Sequence, residues 1–257
     1  MNAAIYPEVH PSRRPRTDGG PTRTIVFLHG GATGNWSWHR QVEAFGDYRV
    51  LTPHLPGYGA RRGEPWQGLE SAADDVAAFV AERVDTGVVH LVGISLGGLV
   101  GLRVLERHPE LVGTAFLTGL PVLPQTSAQR AAARTRPRMW GADRFVRTQA
   151  GAYGALETAG TDDAEAATLR AVAEDVARGG APQLDGLETD VLLAAGAREP
   201  AFVRKGLAEL QRAIPRATVR LAPGAHHAWN LEEPLLFDAV VRRWAERTEP
   251  HPRLGEA

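Results

Sequence analysis

A serine between two glycines interrupts an apolar segment at residues 90–102, which read HLVGISLGGLVGL. Glycine weakens both strands and helices, so its presence two positions before and two positions after Ser95 needs a physical reason. A sharp strand–turn–helix junction gives one, because its apex has strained backbone angles and its neighbouring segments come too close for a Cβ atom. The pattern predicts a strand at 88–93, a helix at 96–108, and a Ser95 hydroxyl that projects from the turn between them.

Segments typical of strands alternate with segments of helical periodicity along the chain. Strands are predicted at residues 24–28, 49–55, 88–93, 113–120, 189–196 and 217–223, and helices at 69–84, 96–108, 201–213 and 234–247. Such alternation is typical of right-handed βαβ units. We therefore predict an α/β fold with a mostly parallel central sheet flanked by helices. In such sheets ligands bind outside the carboxyl ends of the strands.

The pattern changes in one long insertion. Residues 121–183 show no strand of this kind and are rich in Ala and Arg, so they are predicted to form a helical lid. The core of the fold is expected to comprise 22–120 and 184–257. Residues 1–21 are predicted to be an N-terminal tail or a first strand. Because the insertion leaves from a strand end, it could cover a site at that edge of the sheet.

Composition excludes several function classes. Hydrophobic residues make up 43% and charged residues 23% of the 257 residues, which is typical of a globular protein. The net charge of −1 argues against a nucleic-acid partner, which would require a basic excess. The chain has no cysteine, which excludes disulfides, thiol catalysis and cysteine-ligated metal.

Targeting signals are not evident in the sequence. No apolar run is long enough to cross a bilayer, and the first twenty residues lack the apolar stretch of a signal peptide. We therefore expect a cytoplasmic protein with a small-molecule substrate and without a membrane partner. The oligomeric state is left open.

A serine hydroxyl becomes a good nucleophile only when a base removes its proton. The predicted turn also sets Ser95 at a helix N-terminus, where the N–H of Leu96 could receive an oxyanion. The loop FLHGGATGNWSW should place a second N–H opposite the first, and Gly31 is the predicted donor. His29 in this loop is interpreted as a buried imidazole that orients the loop, in preference to a catalytic group.

The base is expected after the last strand, where the chain reads PGAHHAWNLEEP. Two adjacent histidines, His226 and His227, follow that strand. Neighbouring residues at a strand end point in different directions, so one ring should face Ser95 and the other should not. Spacing alone does not choose between them.

The chain resembles the α/β-hydrolase fold family, in its lidded, single-domain esterase and lactonase type. The resemblance covers residues from about 22 to 247 and rests on LPGYG, VGISLGG, GAREPAFV and PGAHHAWNLEEP. In that family Glu and Pro commonly follow the catalytic histidine by five and seven residues, which here are Glu232 and Pro234. The resemblance therefore implies that His227 is the base. His226 stands where the family usually has glycine.

The third catalytic residue should be a carboxylate that lies between Ser95 and His227 in the chain. The loop after the predicted strand 189–196 offers Glu199, where the family usually has Asp. The alternative for Glu199 is to cap the helix that begins near residue 200, whose N-terminus favours negative charge. Asp185 and Asp190 are weaker candidates because they precede the strand. A carboxylate after the strand at 113–120 is another known solution in this family, but TGLPVLP contains none.

Aromatic residues near these motifs are candidates for a substrate pocket. Core packing is the alternative for each of them. The four predicted pocket residues are Trp36, Trp38, Trp140 and Trp229. No cofactor is required by this reading, and the adjacent histidine pair lacks the helical spacing of a metal site, so no metal is predicted.

These residues predict a serine hydrolase that acts through an acyl-enzyme on an ester, lactone or thioester of a small, largely apolar molecule. Ser95 would be the nucleophile, His227 the base and Glu199 the orienting acid. Two alternatives stay open. One is a carbon–carbon bond hydrolase, or a non-hydrolytic lyase or cyclase, on the same fold. The other is a small-molecule-binding protein with negligible turnover.

Overall fold

The structure is a computed structural model that describes residues 6–14, 23–31, 33–84, 87–121, 166–178 and 182–257. The strands are β1 Val9–His10, β2 Thr24–Leu28, β3 Arg49–Leu51, β4 Val89–Ile94, β5 Val112–Thr118, β6 Asp190–Gly196 and β7 Ala217–Ala222. The α-helices are α1 His39–Ala44, α2 Leu69–Ala81, α3 Leu96–Arg107, α4 Ala166–Arg178, α5 Ala201–Ala213, α6 Trp229–Glu232 and α7 Pro234–Arg247. Among the described helices, none has both the length and the apolar character needed to span a membrane.

The strands form one sheet in the order β1-β3-β2-β4-β5-β6-β7. The pair of β1 with β3 is antiparallel, and the other neighbouring pairs are parallel. The prediction of an α/β fold with a mostly parallel sheet is therefore confirmed. The strand order reverses at β2, since β3 lies on one side of it and β4 on the other. The carboxyl ends of β2 and β4 thus flank a topological switch point, where ligands bind in open α/β sheets.

Alternation of side chains along the strands divides the core into two layers. Val26 and Leu28 of β2 contribute to a cluster with apolar residues of α2, α3 and α5. Ile25 and Phe27 point to the opposite face and join a cluster with residues of α1 and α7. Both faces of the central strands are buried, which explains why these strands are almost continuously apolar.

Helix α4 lies within the range predicted to form the lid, 121–183, most of which lies outside the described residues. Asp175 of α4 accepts a hydrogen bond at 2.8 Å from the N–H of Leu69, the first residue of α2. Val172 is buried in the same cluster as the core helices. Helix α4 is therefore fixed to the core at the start of α2. The lid itself stays a prediction.

At the other end of the chain, β1 falls in residues 1–21, the segment predicted as a tail or first strand.

Two buried histidines have a pKa well below the ordinary value for that side chain. Burial lowers the pKa of His29 to about 4. Burial, aided by the charge of Arg23, lowers the pKa of His90 to about 4. The Nδ1 atom of His90 lies 2.9 Å from the hydroxyl of Thr114. Both rings are therefore neutral in the folded protein at neutral pH.

This burial predicts a loss of stability in mild acid. In the unfolded chain a histidine binds a proton near pH 6.5, but in the folded protein His90 does so only near pH 4. Between these values the unfolded state holds more protons, so the free energy of unfolding falls as the pH is lowered. His90→Gln should reduce the loss of stability between pH 7 and pH 5 by about 2 kcal/mol, measured by urea unfolding. His39→Gln, at an exposed position, is the matched control and should retain the full loss; an unchanged loss in His90→Gln would contradict the prediction.

Candidate active site

Ser95 occupies the turn between β4 and α3 with a positive φ, which is rare outside glycine; its angles are φ 55° and ψ −116°. Its N–H donates a hydrogen bond at 2.9 Å to the carbonyl of Thr118, at the end of β5. Glycine is required at positions 93 and 97 because neither position has room for a Cβ atom. A Cβ on Gly93 would overlap the carbonyl of Gly97, and one on Gly97 would overlap the carbonyl of Leu28. The turn thus has the strained, closely packed geometry that the sequence pattern predicts.

The loop after β2 lies beside the start of α3. A Cβ built on Gly31 would be 3.5 Å from the Cβ of Leu96, so the two backbone segments are adjacent. In the described part of the chain, no hydrogen bond uses the N–H of Gly31 or of Leu96. Leu96 is also the first residue of α3, where the helix dipole favours negative charge. This corner can therefore receive an anionic oxygen from a substrate.

His29 orients the loop that precedes Gly31. The N–H of Leu55 donates to Nε2 of His29 at 3.2 Å. Because Nε2 accepts this bond, the proton of the neutral ring is on Nδ1, which donates to the carbonyl of Gly30 at 3.0 Å. The low pKa of His29 agrees with a neutral ring. This is the orienting role that we predicted for His29.

His227 and Glu199 form a buried pair. The distance from Nδ1 of His227 to Oε2 of Glu199 is 2.7 Å, and the Glu199 side chain is 1% exposed. The other carboxylate oxygen, Oε1, accepts a hydrogen bond at 3.0 Å from the N–H of Gly196. The N-cap of helix α5 is Pro200, and the two Glu199 oxygens are bonded to Gly196 and His227 and not to the first N–H groups of that helix. A carboxylate held in this way fixes the orientation of the imidazole ring.

The neighbouring histidine has a different environment. The His226 side chain is 45% exposed, and its Nδ1 lies 3.3 Å from the Glu232 carboxylate. That carboxylate also accepts the N–H of His226 at 2.9 Å. The structure therefore turns His226 outward and His227 inward, a choice that spacing alone did not make. Asp190, a weaker candidate for the acid, is paired with Arg216 at 2.8 Å.

Thr118, the last residue of β5, and Gly119, which follows it, lie beside the candidate site, and sequence reasoning assigned no role to either. Gly119 has φ +63°, and a Cβ on it would lie 2.8 Å from Cε1 of His227. The hydroxyl of Thr118 accepts a hydrogen bond from Nε1 of Trp229 at 2.9 Å. The signal that could have identified Gly119 is a glycine directly after a buried strand, at the sheet edge where the other motifs end.

The structure corrects the prediction for two of the four tryptophans. Trp38 and Trp229 are fully buried in the cluster on the α1 and α7 face of the sheet. The ring of Phe237 lies 5.8 Å from Trp38 and 4.8 Å from Trp229, between centroids. These rings therefore pack the core, which was the stated alternative to a pocket role. Trp36 is half-buried, and Trp140 lies outside the described residues, so their pocket roles stay predictions.

In a chain without cysteine, metal sites are built mainly from acidic and histidine side chains. In the described ranges, no three or more of these side chains gather in a group that could hold a metal ion. The charged partners near the candidate site are paired with each other, Glu199 with His227 and Glu232 with His226. The arrangement is thus one of paired side chains, suited to moving a proton between a hydroxyl and an imidazole.

Comparisons with known proteins agree with the fold. A family model described as the alpha/beta hydrolase family matches residues 25–240. An AB hydrolase superfamily protein of Gibberella zeae is 25% identical over 240 residues, which cover 86% of this chain and 79% of that protein. A 2-hydroxy-6-oxononadienedioate/2-hydroxy-6-oxononatrienedioate hydrolase of Pseudomonas sp is 30% identical over 117 residues, which cover 44% of this chain and 41% of that protein. The second match therefore spans less than half of either chain.

Solved structures show the same architecture. A thermophilic esterase from Thermogutta terrifontis superposes with a TM-score of 0.72 and 20% identity, covering 89% of this chain and 91% of the esterase. At this identity the likeness shows the fold alone. The family model, in contrast, matches most of the chain, and the resemblance stated from the sequence motifs is confirmed. With its mostly parallel sheet and its strained serine turn at the switch point, this protein is an enzyme that belongs to the alpha/beta hydrolase family.

Proposed function

We propose that this enzyme is a serine hydrolase that cleaves an ester, lactone or thioester of a small, largely apolar substrate. The observation that carries the proposal is the buried pair of His227 and Glu199, at 2.7 Å. A histidine whose Nδ1–H is held by a carboxylate presents Nε2 as a base, which is the requirement for activating a serine hydroxyl. The strained turn at Ser95 supports the proposal because it places a half-buried serine at a helix N-terminus.

The chemistry follows in two steps. Ser95 Oγ attacks the substrate carbonyl carbon while His227 Nε2 takes its proton, and the N–H groups of Leu96 and Gly31 receive the oxyanion. His227 then gives the proton to the leaving alcohol, thiol or ring oxygen, and an acyl-enzyme results. Water attacks the acyl carbon with His227 as base, which releases the acid and restores Ser95. Glu199 keeps the imidazole oriented and stabilises its protonated form throughout.

A second candidate reaction has a specific observation in its favour. The Pseudomonas relative is named a 2-hydroxy-6-oxononadienedioate/2-hydroxy-6-oxononatrienedioate hydrolase, which favours cleavage of a carbon–carbon bond in a dicarboxylate. In that reaction His227 would mainly transfer protons. The ester hypothesis is preferred because, within the described residues, the N–H groups of Gly31 and Leu96 make no hydrogen bond, and they and the serine turn match what acyl transfer requires.

Covalent labelling tests the proposal without knowledge of the natural substrate. A fluorophosphonate probe should form one adduct, and peptide mapping should place it on Ser95. His227→Ala should abolish labelling, since the hydroxyl loses its base. The matched control is His226→Ala, which removes the adjacent exposed histidine and should leave labelling intact. An adduct elsewhere, or undiminished labelling of His227→Ala, would contradict the proposed mechanism.

A further inference from the structure

The end of β5 makes contact with all three parts of the proposed catalytic site. The carbonyl of Thr118 accepts the N–H of Ser95 at 2.9 Å. The hydroxyl of Thr118 accepts Nε1–H of Trp229 at 2.9 Å. The next residue, Gly119, donates its N–H at 3.0 Å to the carbonyl of Ala194 in β6, the strand that leads to Glu199. One dipeptide thus touches the nucleophile, the loop of the base and the strand of the acid.

Trp229 links the Thr118 hydroxyl to the catalytic histidine. It lies two residues after His227 and is fully buried. Its ring packs edge-on against Phe116 at 5.9 Å and Phe237 at 4.8 Å. These apolar contacts restrict the tilt of the indole ring. The hydrogen bond to Thr118 restricts its sliding within the ring plane, because hydrogen bonds are directional. This hydrogen bond ties the indole of Trp229, and with it the segment that carries His227, to the end of β5.

The space around the His227 ring leaves little room for the ring to move. A Cβ on Gly119 would lie 2.8 Å from Cε1 and 2.9 Å from Nδ1 of the ring, so the imidazole occupies the place of a missing side chain. The opposite constraint is the 2.7 Å bond to Glu199. A shift of the His227 loop would move the ring relative to both Glu199 and Ser95. Misplacement of a catalytic group by about 1 Å can cost about 100-fold in rate.

We propose that Thr118 is a positioning residue for catalysis: its hydroxyl, acting through the indole of Trp229, holds His227 in register with Ser95 and Glu199. The inference rests on the proposed function, because it concerns the same serine and histidine. Thr118 itself does not touch substrate in this account. Its effect is expected in the reactivity of Ser95, and not in substrate binding.

The test compares Thr118→Val with Thr118→Ser. Valine keeps the shape and removes the hydroxyl, whereas serine keeps the hydroxyl and removes the methyl. Thr118→Val should lower kcat for a p-nitrophenyl ester roughly 10- to 100-fold with KM changed less than about 3-fold, and should lower the rate of fluorophosphonate labelling by the same factor. Thr118→Ser should restore both rates to within about 3-fold of the parent protein.

Thr114→Val is the matched control. Thr114 lies on the same strand and is also buried. Its hydroxyl lies 2.9 Å from Nδ1 of His90, whereas the hydroxyl of Thr118 is bonded to Trp229. This variant should lose stability but keep kcat. Trp229→Phe removes the donor from the other side, and should lower kcat by a factor similar to that of Thr118→Val. The double variant should then be little worse than either single one, because both remove the same hydrogen bond.

The outcomes separate this inference from the proposed function. If Thr118→Val folds and keeps both kcat and the labelling rate, the positioning role is wrong while the serine mechanism stands. Equal losses in Thr118→Ser and Thr118→Val would also overturn it, since the hydroxyl would then not be the active feature. If Thr118→Val does not fold, Trp229→Phe decides alone. If the parent protein is not labelled at Ser95, the proposed function itself fails.

Discussion

Ser95→Ala is expected to lower kcat for a chromogenic ester by about 10⁴-fold or more, because no other group would form the acyl-enzyme. Alanine has the same Cβ as serine, so the strained backbone at φ 55° is not made worse. The melting temperature should therefore change by no more than a few degrees. Steady-state kinetics with a p-nitrophenyl ester, together with thermal unfolding, measure both quantities.

Ser37→Ala is the control for this substitution. Ser37 is buried in the 3₁₀ helix Asn35–Trp38, and its hydroxyl donates to the carbonyl of Gly34 at 2.8 Å, so the same atom is deleted from a serine that has no proposed catalytic role. It should affect stability and leave kcat nearly unchanged. Retention of much of the turnover in Ser95→Ala would favour the proton-transfer chemistry of a carbon–carbon hydrolase or a lyase. Saturable binding with no turnover in the parent protein would favour a binding protein.

Glu199→Gln is expected to lower kcat by about 10³-fold, with little change in KM. The amide nearly matches the carboxylate in shape but carries no charge, so it cannot stabilise the imidazolium that forms as Ser95 gives up its proton. One of the two carboxylate oxygens is also replaced by an NH₂ group, which then faces a hydrogen-bond donor, either Nδ1 of His227 or the N–H of Gly196. Glu199→Asp keeps the charge on a shorter stem and should lose less activity than the glutamine variant.

Glu232→Gln makes the same change beside the adjacent histidine. Its carboxylate lies 3.3 Å from Nδ1 of His226, which faces outward. The control should keep kcat within about 3-fold of the parent protein. Equal losses in Glu199→Gln and Glu232→Gln would mean that loop structure, and not a charge beside His227, sets the rate. Full activity of Glu199→Gln would remove Glu199 from the mechanism.

Local patterns were sufficient to predict most of the sheet and its flanking helices. The predicted helices at 201–213 and 234–247 have the bounds of α5 and α7, because their apolar faces repeat with helical spacing. The strand predicted at 49–55 is shorter, since β3 ends at Leu51. Residues 52–55 belong to no strand, although the N–H of Thr52 still donates to the carbonyl of Glu8, and apolar character alone does not reveal where the strand ends.

The site was only partly predictable for a different reason. The turn at Ser95 is a local feature, so its glycines reveal it in the sequence. The direction of His227, in contrast, depends on Glu199 from another loop and on space left by Gly119. The burial of Trp38 and Trp229 depends on aromatic partners far away in the chain. Contacts between distant segments leave no periodic signal in the sequence. For this reason the sequence did not predict these contacts.

The imidazole that fills the space above Gly119 also restricts how this enzyme could evolve or be redesigned. Some members of the fold are known to carry the acid one strand earlier, which would place it at the end of β5. Here an acidic side chain at position 119 would clash with the imidazole of His227, because its Cβ atom would already lie 2.8 Å from Cε1 of that ring. An acid at the end of β5 would therefore require a different position for the His227 ring. With the ring in this position, a carboxylate partner for His227 can come from the loop after β6, where Glu199 lies, but not from a side chain at position 119.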